Sequence, residues 1–212
     1  MKSNGVYDVG FSAPEDAFEG LPYALTLVCS MSDAVIDQLI DGPTHQYLSH
    51  YRTVNSFIDH MLYRAGLFLE ERGYRYIPVA ASQSLHFGGE RNHVSLYSHK
   101  KAAVLAGLGT VGKNSLFLHN TRGPRVRLGT LLTDCAFGAT SSAAESKCGS
   151  CGICVAACPA GAMTGAEWQP GRGRDVMLSA EACNTYMRDN FGNTARGAVC
   201  GICIRVCPQC LK

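Results

Sequence analysis

Cysteine spacing near the C-terminus constrains this chain more than any other feature of its sequence. Of 11 cysteines in 212 residues, nine follow residue 147. Cys148 to Pro159 follow the pattern C-x2-C-x2-C-x3-C-P, and Cys200 to Pro208 follow C-x2-C-x3-C-P. Three thiolates at x2 spacing can surround one face of an iron–sulfur cubane, and the fourth cysteine of such a motif ligates a second cluster. The pattern therefore predicts two 4Fe–4S clusters.

We assign the ligands in two sets, each completed by a cysteine from the other motif. The first set is Cys148, Cys151, Cys154 and Cys207. The second set is Cys158, Cys183, Cys200 and Cys203. Three cysteines lie outside both sets and are interpreted as spare thiols, namely Cys29, Cys135 and Cys210. Cys210 stands at x2 from Cys207 and is an alternative ligand.

Two other uses of cysteine fit the sequence less well. Structural zinc needs four ligands per site and rarely has a third x2-spaced cysteine followed by x3-C-P. Disulfides are typical of secreted proteins, and Met1–Gly10 has no apolar signal segment, so we expect a cytoplasmic protein with reduced thiols. No run approaches the roughly 18–20 apolar residues of a membrane span. The net charge of +2 does not favour a nucleic-acid partner.

The composition changes near residue 143. All seven histidines precede residue 147, whereas nine cysteines follow it. The stretch 138–146 is small and polar, which is typical of a linker. We therefore predict an α+β domain at 1–143 and a ferredoxin-like domain at 144–212.

Hydrophobic periodicity predicts the elements of the first domain. Apolar residues at spacings of three and four predict a long helix over 44–72, with Thr44 as N-cap and Gly73 as stop. A second helix is expected over 93–106. Apolar, β-branched runs predict strands at 23–30, 74–80, 115–118 and 125–133. Pro78 places the second of these strands at a sheet edge.

The segment from Gly107 to Asn114 resembles two nucleotide-binding patterns but does not meet the further requirements of either. A dinucleotide loop, G-x-G-x-x-G, must follow a strand, but here a predicted helix precedes it. A phosphate-binding loop needs Ser or Thr after its lysine, and Asn114 follows Lys113. The glycines are interpreted either as a turn that ends the helix or as a close approach of the backbone to a cofactor.

Several motifs occur in an order that resembles the epoxyqueuosine reductase family and its relatives, the corrinoid-dependent reductive dehalogenases. The resemblance covers roughly residues 95–208. Its motifs are Ala106 to Asn114, Arg127 to Thr130, Thr133-Asp134, Cys148 to Cys151, Cys158 to Ala162, Cys183 to Met187, and Cys200 to Pro208.

This resemblance implies a nitroreductase-like α+β domain that holds cobalamin and receives electrons from the ferredoxin-like domain. It implies that the corrinoid is lined by Gly107, Gly109, Gly112, Lys113, Asn114, Leu128, Gly129 and Thr130. An electron donor such as ferredoxin or flavodoxin is expected. Because only about 105 residues precede the glycine turn, a homodimer or another partner would complete the pocket if one chain does not enclose the cofactor.

Two departures from the family pattern bear on the substrate. The aspartate proton donor of the family aligns with His93. A histidine can also donate a proton near neutral pH. The simpler interpretation of His93 is a capping or surface role. The family's helical-repeat domain, which helps to hold tRNA, has no counterpart after Pro208. We therefore expect a corrinoid-dependent reductase of an unidentified small substrate. The alternatives are an electron-transfer protein, or corrinoid reductase, that serves a partner, and a tRNA epoxyqueuosine reductase.

Overall fold

The computed structural model has a mixed helix and sheet architecture with two compact units. It describes residues 4–16, 18, 20–83, 85–87, 90–138, 145–194 and 199–210. The first unit contains the described residues of Met1–Ser30, Thr53–Gly109 and Val126–Ala144. The second unit contains the described residues of Met31–Arg52, Thr110–Arg125 and Glu145–Lys212. The two predicted domains meet at the change in composition near residue 143. In the structure, two segments that precede this boundary, 31–52 and 110–125, instead belong to the same unit as the cysteine-rich segment.

A four-stranded antiparallel sheet forms the centre of the first unit. Its strands are β1 (Asp8–Ser12), β2 (Tyr23–Ser30), β3 (Tyr76–Val79) and β8 (Val126–Thr133), in the order β1-β2-β8-β3. The predicted strand at 23–30 is confirmed at both ends. Pro78 lies on β3, which is an edge strand, as its missing N–H predicts.

The long predicted helix is confirmed as α2 (His45–Glu70). It begins where the Thr44 hydroxyl accepts a hydrogen bond from the Tyr47 N–H at 3.1 Å, and Gly73 follows it with a φ of +82°. The apolar face of its C-terminal part packs in the core of the first unit, where Ile58 and Leu62 are fully buried beside Leu131 of β8. Burial of each such side chain stabilises the fold by about 1.5–3 kcal/mol.

The predicted second helix begins later than expected. Residues 93–94 end strand β5 (Glu90–Val94), which pairs with β4 (Leu85–Phe87), and α3 covers only His99–Leu105. The Ser98 hydroxyl caps α3 by accepting from the Lys101 N–H at 3.3 Å. The prediction of helix from residue 93 was wrong because the apolar residues before Ser98 belong to an extended segment, and the serine sets the true start.

The second unit is built from short elements. They are α1 (Asp33–Asp37), α4 (Ile153–Ala156), α5 (Ala180–Phe191), α6 (Ile202–Arg205), and the sheet of β6 (Gly109–Val111) with β7 (Phe117–His119). The first residue of β6, Gly109, still belongs to the first unit. Its apolar core contains Met31, Ile36, Leu39, Tyr47 and Val199. Helices of four or five residues are not stable by propensity alone, so this unit depends on tertiary contacts.

An ion-pair network links separate segments of the second unit. Arg125 is buried and donates to Asp33 at 3.0 Å and to Asp37 at 2.7 Å. Hydrogen bonds from Arg122 and from Arg125 hold the pKa of Asp33 below its ordinary value. Arg205 of α6 donates to the Asp37 carbonyl at 3.2 Å, so the network joins α1 to a helix that carries a predicted cluster ligand.

In the described part of the chain, no helix is both long enough and apolar enough to span a bilayer.

Gly129 tests the packing of α2 on the sheet. A Cβ at this position would lie 2.2 Å from Ile58 Cγ2 and 3.0 Å from Leu62 Cδ1. We expect Gly129→Ala to lower the free energy of unfolding by about 1–3 kcal/mol, because neither the strand nor the helix can move away cheaply. Chemical denaturation under anoxic conditions measures this change. Gly138→Ala is the matched control, since nothing lies within 4 Å of its Cβ; an equal loss in both variants would contradict the packing argument.

Candidate iron–sulfur centre

The first cysteine motif folds as a tight loop that leads into a short helix. The Cys151 N–H donates to the Cys148 carbonyl at 2.9 Å, and Gly149 adopts a φ of +47° between them. Gly152 is the N-cap of α4, which carries Cys154. Glycine is required at position 149 because L-residues avoid this left-handed conformation. The loop and the helix together direct these cysteines toward one place.

The four cysteines predicted for the first cluster line one cavity. They are Cys148, Cys151, Cys154 and Cys207, and the cavity wall also includes Asn114, Leu118, Pro208 and Gln209. The Gln209 side chain donates to the Lys147 carbonyl at 3.0 Å, which holds the segment after Cys207 against the start of the first motif. The cysteine from the second motif is thus held beside the three cysteines of the first.

The four cysteines predicted for the second cluster are neighbours of one another. Burial, together with smaller contributions from the charges of Cys158 and Cys200, raises the pKa of Cys183 to about 11. Burial also raises the pKa of Cys203, with additional contributions from Cys200, Cys183 and Cys158. Such contributions require thiols that are close together. Cys183 lies on α5 and Cys203 on α6, so separate helices supply this set.

The two sets are also close to each other, since Cys154 of the first set contributes to the raised pKa of Cys203. The pKa of Cys154 is itself raised by burial and by Cys148 and Cys151. Buried thiolates repel one another, and a cation among them removes this cost, which is why metal coordination deprotonates thiols. In the described residues, no three His, Cys, Asp or Glu side chains converge on a position for a single metal ion. Four sulfurs around one cavity suit a cluster with several irons, so the first set fits a 4Fe–4S cluster.

Some residues predicted to line a corrinoid lie in the second unit, at the iron–sulfur centre. Lys113 directs its backbone N–H to the Cys148 sulfur at 3.4 Å, and the Asn114 amide donates to the Cys203 carbonyl at 3.4 Å. Gly112 precedes them in the same turn. A Cβ at Gly112 would lie 2.7 Å from Leu118 Cδ1, so protein packing accounts for this glycine.

The other predicted corrinoid residues belong to the first unit. Gly107 ends α3 with a φ of +70°, and Gly109 begins β6. Leu128 and Gly129 are on β8, where Gly129 faces α2. Thr130 is buried, and its hydroxyl lies 2.9 Å from His99 Nδ1. Helix termination accounts for Gly107 and core packing accounts for Gly129. The role of these residues in binding a corrinoid stays a prediction.

The predicted proton donor, His93, lies near the end of β5 with a φ of +48°. This left-handed conformation is uncommon outside glycine and is often found at functional sites. Its catalytic role stays a prediction.

The two spare cysteines whose side chains are described, Cys29 and Cys135, belong to the first unit. Cys29 is buried in the core of the first unit, where burial raises the pKa of its thiol to about 11, and Cys135 packs against the same core. Thiols with raised pKa values are poor nucleophiles at neutral pH. The side chain of Cys210 lies outside the described residues.

A buried polar group in the first unit was not predicted from the sequence. His99 Nε2 lies 3.0 Å from the Ala80 carbonyl, which can only accept, so this nitrogen carries the proton and Nδ1 accepts from Thr130. Burial, together with nearby Arg127, lowers the pKa of His99. Arg127 donates to the Asn55 side chain at 2.9 Å and to the Ala81 carbonyl at 3.1 Å. No spacing rule brings these residues together; only the pairing of distant strands does.

Double substitutions test the assignment of ligands to the two sets. Single Cys→Ala changes at Cys148, Cys203 or Cys207 should each remove about half of the iron, because each breaks one of two clusters. Cys148→Ala with Cys207→Ala should still lose only half, since both belong to the first set. Cys203→Ala with Cys207→Ala should lose nearly all iron, although these residues lie on one short segment.

Iron analysis of anoxic preparations measures this, with Cys135→Ala as the control that keeps all iron. The reverse pattern in the two double variants would contradict the crossed assignment.

Comparisons with known proteins agree with this centre. Residues 147–209 match the family model described as a 4Fe–4S double cluster binding domain. An epoxyqueuosine reductase from Aliivibrio fischeri is 28% identical over 188 residues, which cover 80% of this chain. The chain spans 44% of the length of that relative.

The fold is also found in solved structures. A selenomethionine-labelled epoxyqueuosine reductase superposes with a TM-score of 0.65 at 19% identity, covering 98% of this chain and 63% of that one. A reductive dehalogenase whose structure suggests a mechanism for B12-dependent dehalogenation superposes with a TM-score of 0.70 at 20% identity, covering 96% of this chain and 30% of that one. Residues 147–209 thus match a 4Fe–4S double cluster binding domain, and the chain resembles epoxyqueuosine reductases and reductive dehalogenases, as its motif order predicts.

Proposed function

We propose that this protein is an iron–sulfur oxidoreductase in which electrons pass through two 4Fe–4S clusters to a cobalamin cofactor that serves to reduce a small substrate. The proposal rests on one observation: a cysteine of one motif completes the ligand set of the other. Cys207 of the second motif lines one cavity together with the other three cysteines of the first set. Crossed ligation places two clusters side by side, an arrangement that suits electron transfer rather than a purely structural role. The cytoplasm, where thiols stay reduced, is the proposed location.

The chain's own residues would hold the clusters and control their surroundings. The eight cysteines supply the ligands, and buried side chains such as Leu118 and Asn114 at the first set limit the access of water. Exclusion of water and hydrogen bonds to sulfur are both determinants of cluster potential. An external donor such as ferredoxin or flavodoxin is proposed as the source of electrons.

Cobalamin is the proposed acceptor, and the first unit, as a nitroreductase-like domain, is its proposed site. Support comes from the order of the motifs and from the B12-dependent dehalogenation named for a structural neighbour. When bound, this cofactor would supply a metal centre that accepts electrons from the clusters. His93 is the proposed proton donor, and a homodimer would complete the pocket if one chain does not enclose the cofactor.

Retention of cobalamin during purification tests whether this cofactor is the electron acceptor. The protein is purified without oxygen in the presence of hydroxocobalamin, and cobalt and iron are then measured after gel filtration. We expect about one cobalt per chain and the visible spectrum of bound cob(II)alamin above the cluster absorbance. Clusters without cobalt would contradict the corrinoid proposal and favour the electron-transfer alternative. That alternative has support in the packing, since protein contacts account for Gly112 and Gly129.

Reduction of epoxyqueuosine in tRNA is the second candidate, because curated relatives carry that name. Because His93 stands where the resemblance places the family's aspartate proton donor, we propose that this protein acts on a small molecule instead. Deletion of the gene should then leave the queuosine content of cellular tRNA unchanged, as measured by mass spectrometry of nucleosides. Accumulation of epoxyqueuosine, reversed by the intact gene, would establish the tRNA activity instead.

A further inference from the structure

The turn between β6 and β7 lies at the iron–sulfur centre, and hydrogen bonds within the turn fix its backbone. The Gly112 N–H donates to the Leu116 carbonyl at 2.9 Å, and the Ser115 N–H donates to the Gly112 carbonyl at 2.8 Å. Ser115 has a φ of +55°, a left-handed conformation that is strained for a residue other than glycine. A turn that keeps such a conformation is held by its surroundings. Lys113 and Asn114 lie at its tip.

Lys113 makes two contacts with the loop that carries the first ligands. Its backbone N–H points at the Cys148 sulfur, 3.4 Å away, and its ammonium donates to the Gly149 carbonyl at 2.5 Å. The side chain is only 13% exposed. A carboxylate oxygen of Glu167, whose side chain is partly exposed, lies 3.9 Å from the ammonium. A cation is therefore held next to the first ligand set.

Asn114 connects the same turn to the second ligand set. Its side chain is buried and lines the cavity of the first set. The side-chain oxygen accepts from the Leu116 N–H at 3.1 Å, which orients the amide so that its nitrogen donates to the Cys203 carbonyl at 3.4 Å. Asn114 thus fixes the tip of the turn, and with it the position of Lys113, between the two sets.

We propose that Lys113 is a positioning residue of the iron–sulfur centre and raises the reduction potential of the first cluster. Reduction adds a negative charge to a cluster, and a nearby ammonium and an N–H directed at a ligand sulfur both stabilise that charge. Among the described residues, the hydrogen bonds of Lys113 reach Cys148 and Gly149 of the first ligand loop, so its effect should fall mainly on the first cluster. The proposal rests on the presence of the two clusters and is independent of a corrinoid.

The test compares a neutral variant, Lys113→Gln, with Lys113→Arg, which keeps the charge. Corrinoid-free, iron-loaded protein is titrated with dithionite, and each cluster is followed by electron paramagnetic resonance. The Cys207→Ala and Cys183→Ala variants identify which signal belongs to which cluster. Lys101→Met is the control, because Lys101 pairs with Asp16 in the first unit.

In Lys113→Gln we expect the ratio of reduced to oxidised first cluster, at a fixed potential, to fall about tenfold, which is a downward shift of about 59 mV for one electron. The second cluster should keep its potential. Lys113→Arg and Lys101→Met should resemble the wild type. Loss of the first cluster in the Gln variant with its retention in the Arg variant would also support a role for the charge.

Three results would overturn the inference. They are an unchanged first potential in Lys113→Gln, an equal shift of both clusters, and loss of the first cluster in both Lys113 variants. The iron content of the wild type is measured first, so a failure to bind clusters is seen separately as a failure of the iron–sulfur assignment.

Discussion

The repulsion between buried thiolates is the constraint on which the second unit depends. Burial and neighbouring sulfurs raise the pKa values of Cys154, Cys183, Cys200 and Cys203. A set of neutral thiols contributes little to stability, whereas iron bound by thiolates crosslinks chain segments that are distant in sequence. This unit has a small apolar core, and two of its helices have only four residues. Its stability should therefore come largely from the clusters.

The remainder of the second unit supports the ligands. Arg125 is held by Asp33 and Asp37, and the Asp37 carbonyl accepts from Arg205 on α6. A Cβ on Gly201 would lie 2.5 Å from Leu39, so this glycine allows the second motif to pack closely against the apolar core. The segments 31–52 and 110–125 are therefore part of the iron–sulfur unit in structure, although their sequences contain no cysteine.

The sequence predicts well those parts that depend on local pattern. The periodic apolar positions of α2 and the β-branched run of β2 identify both elements, because each pattern spans several turns or residues. The cysteine spacing predicts which thiols the fold brings to the first cavity. By contrast, β1 was not predicted, because its five residues include no pattern distinct from a loop, and the start of α3 depended on a single capping serine.

Long-range packing is the part that the sequence does not reveal. The ion pairs of Arg125 and the contact of Asn114 with Cys203 join residues 88 to 92 positions apart. The lysine after Gly112 was assigned by resemblance to a corrinoid, whereas its contacts are with the first ligand loop. Only the fold shows that this lysine lies beside a predicted cluster ligand.

Metal analysis of the wild-type protein tests the central claim most directly. Iron, acid-labile sulfide and zinc are measured on material prepared without oxygen. Two 4Fe–4S clusters predict about eight irons and about eight sulfides per chain in a brown preparation. A colourless protein that holds zinc in place of iron would contradict the account.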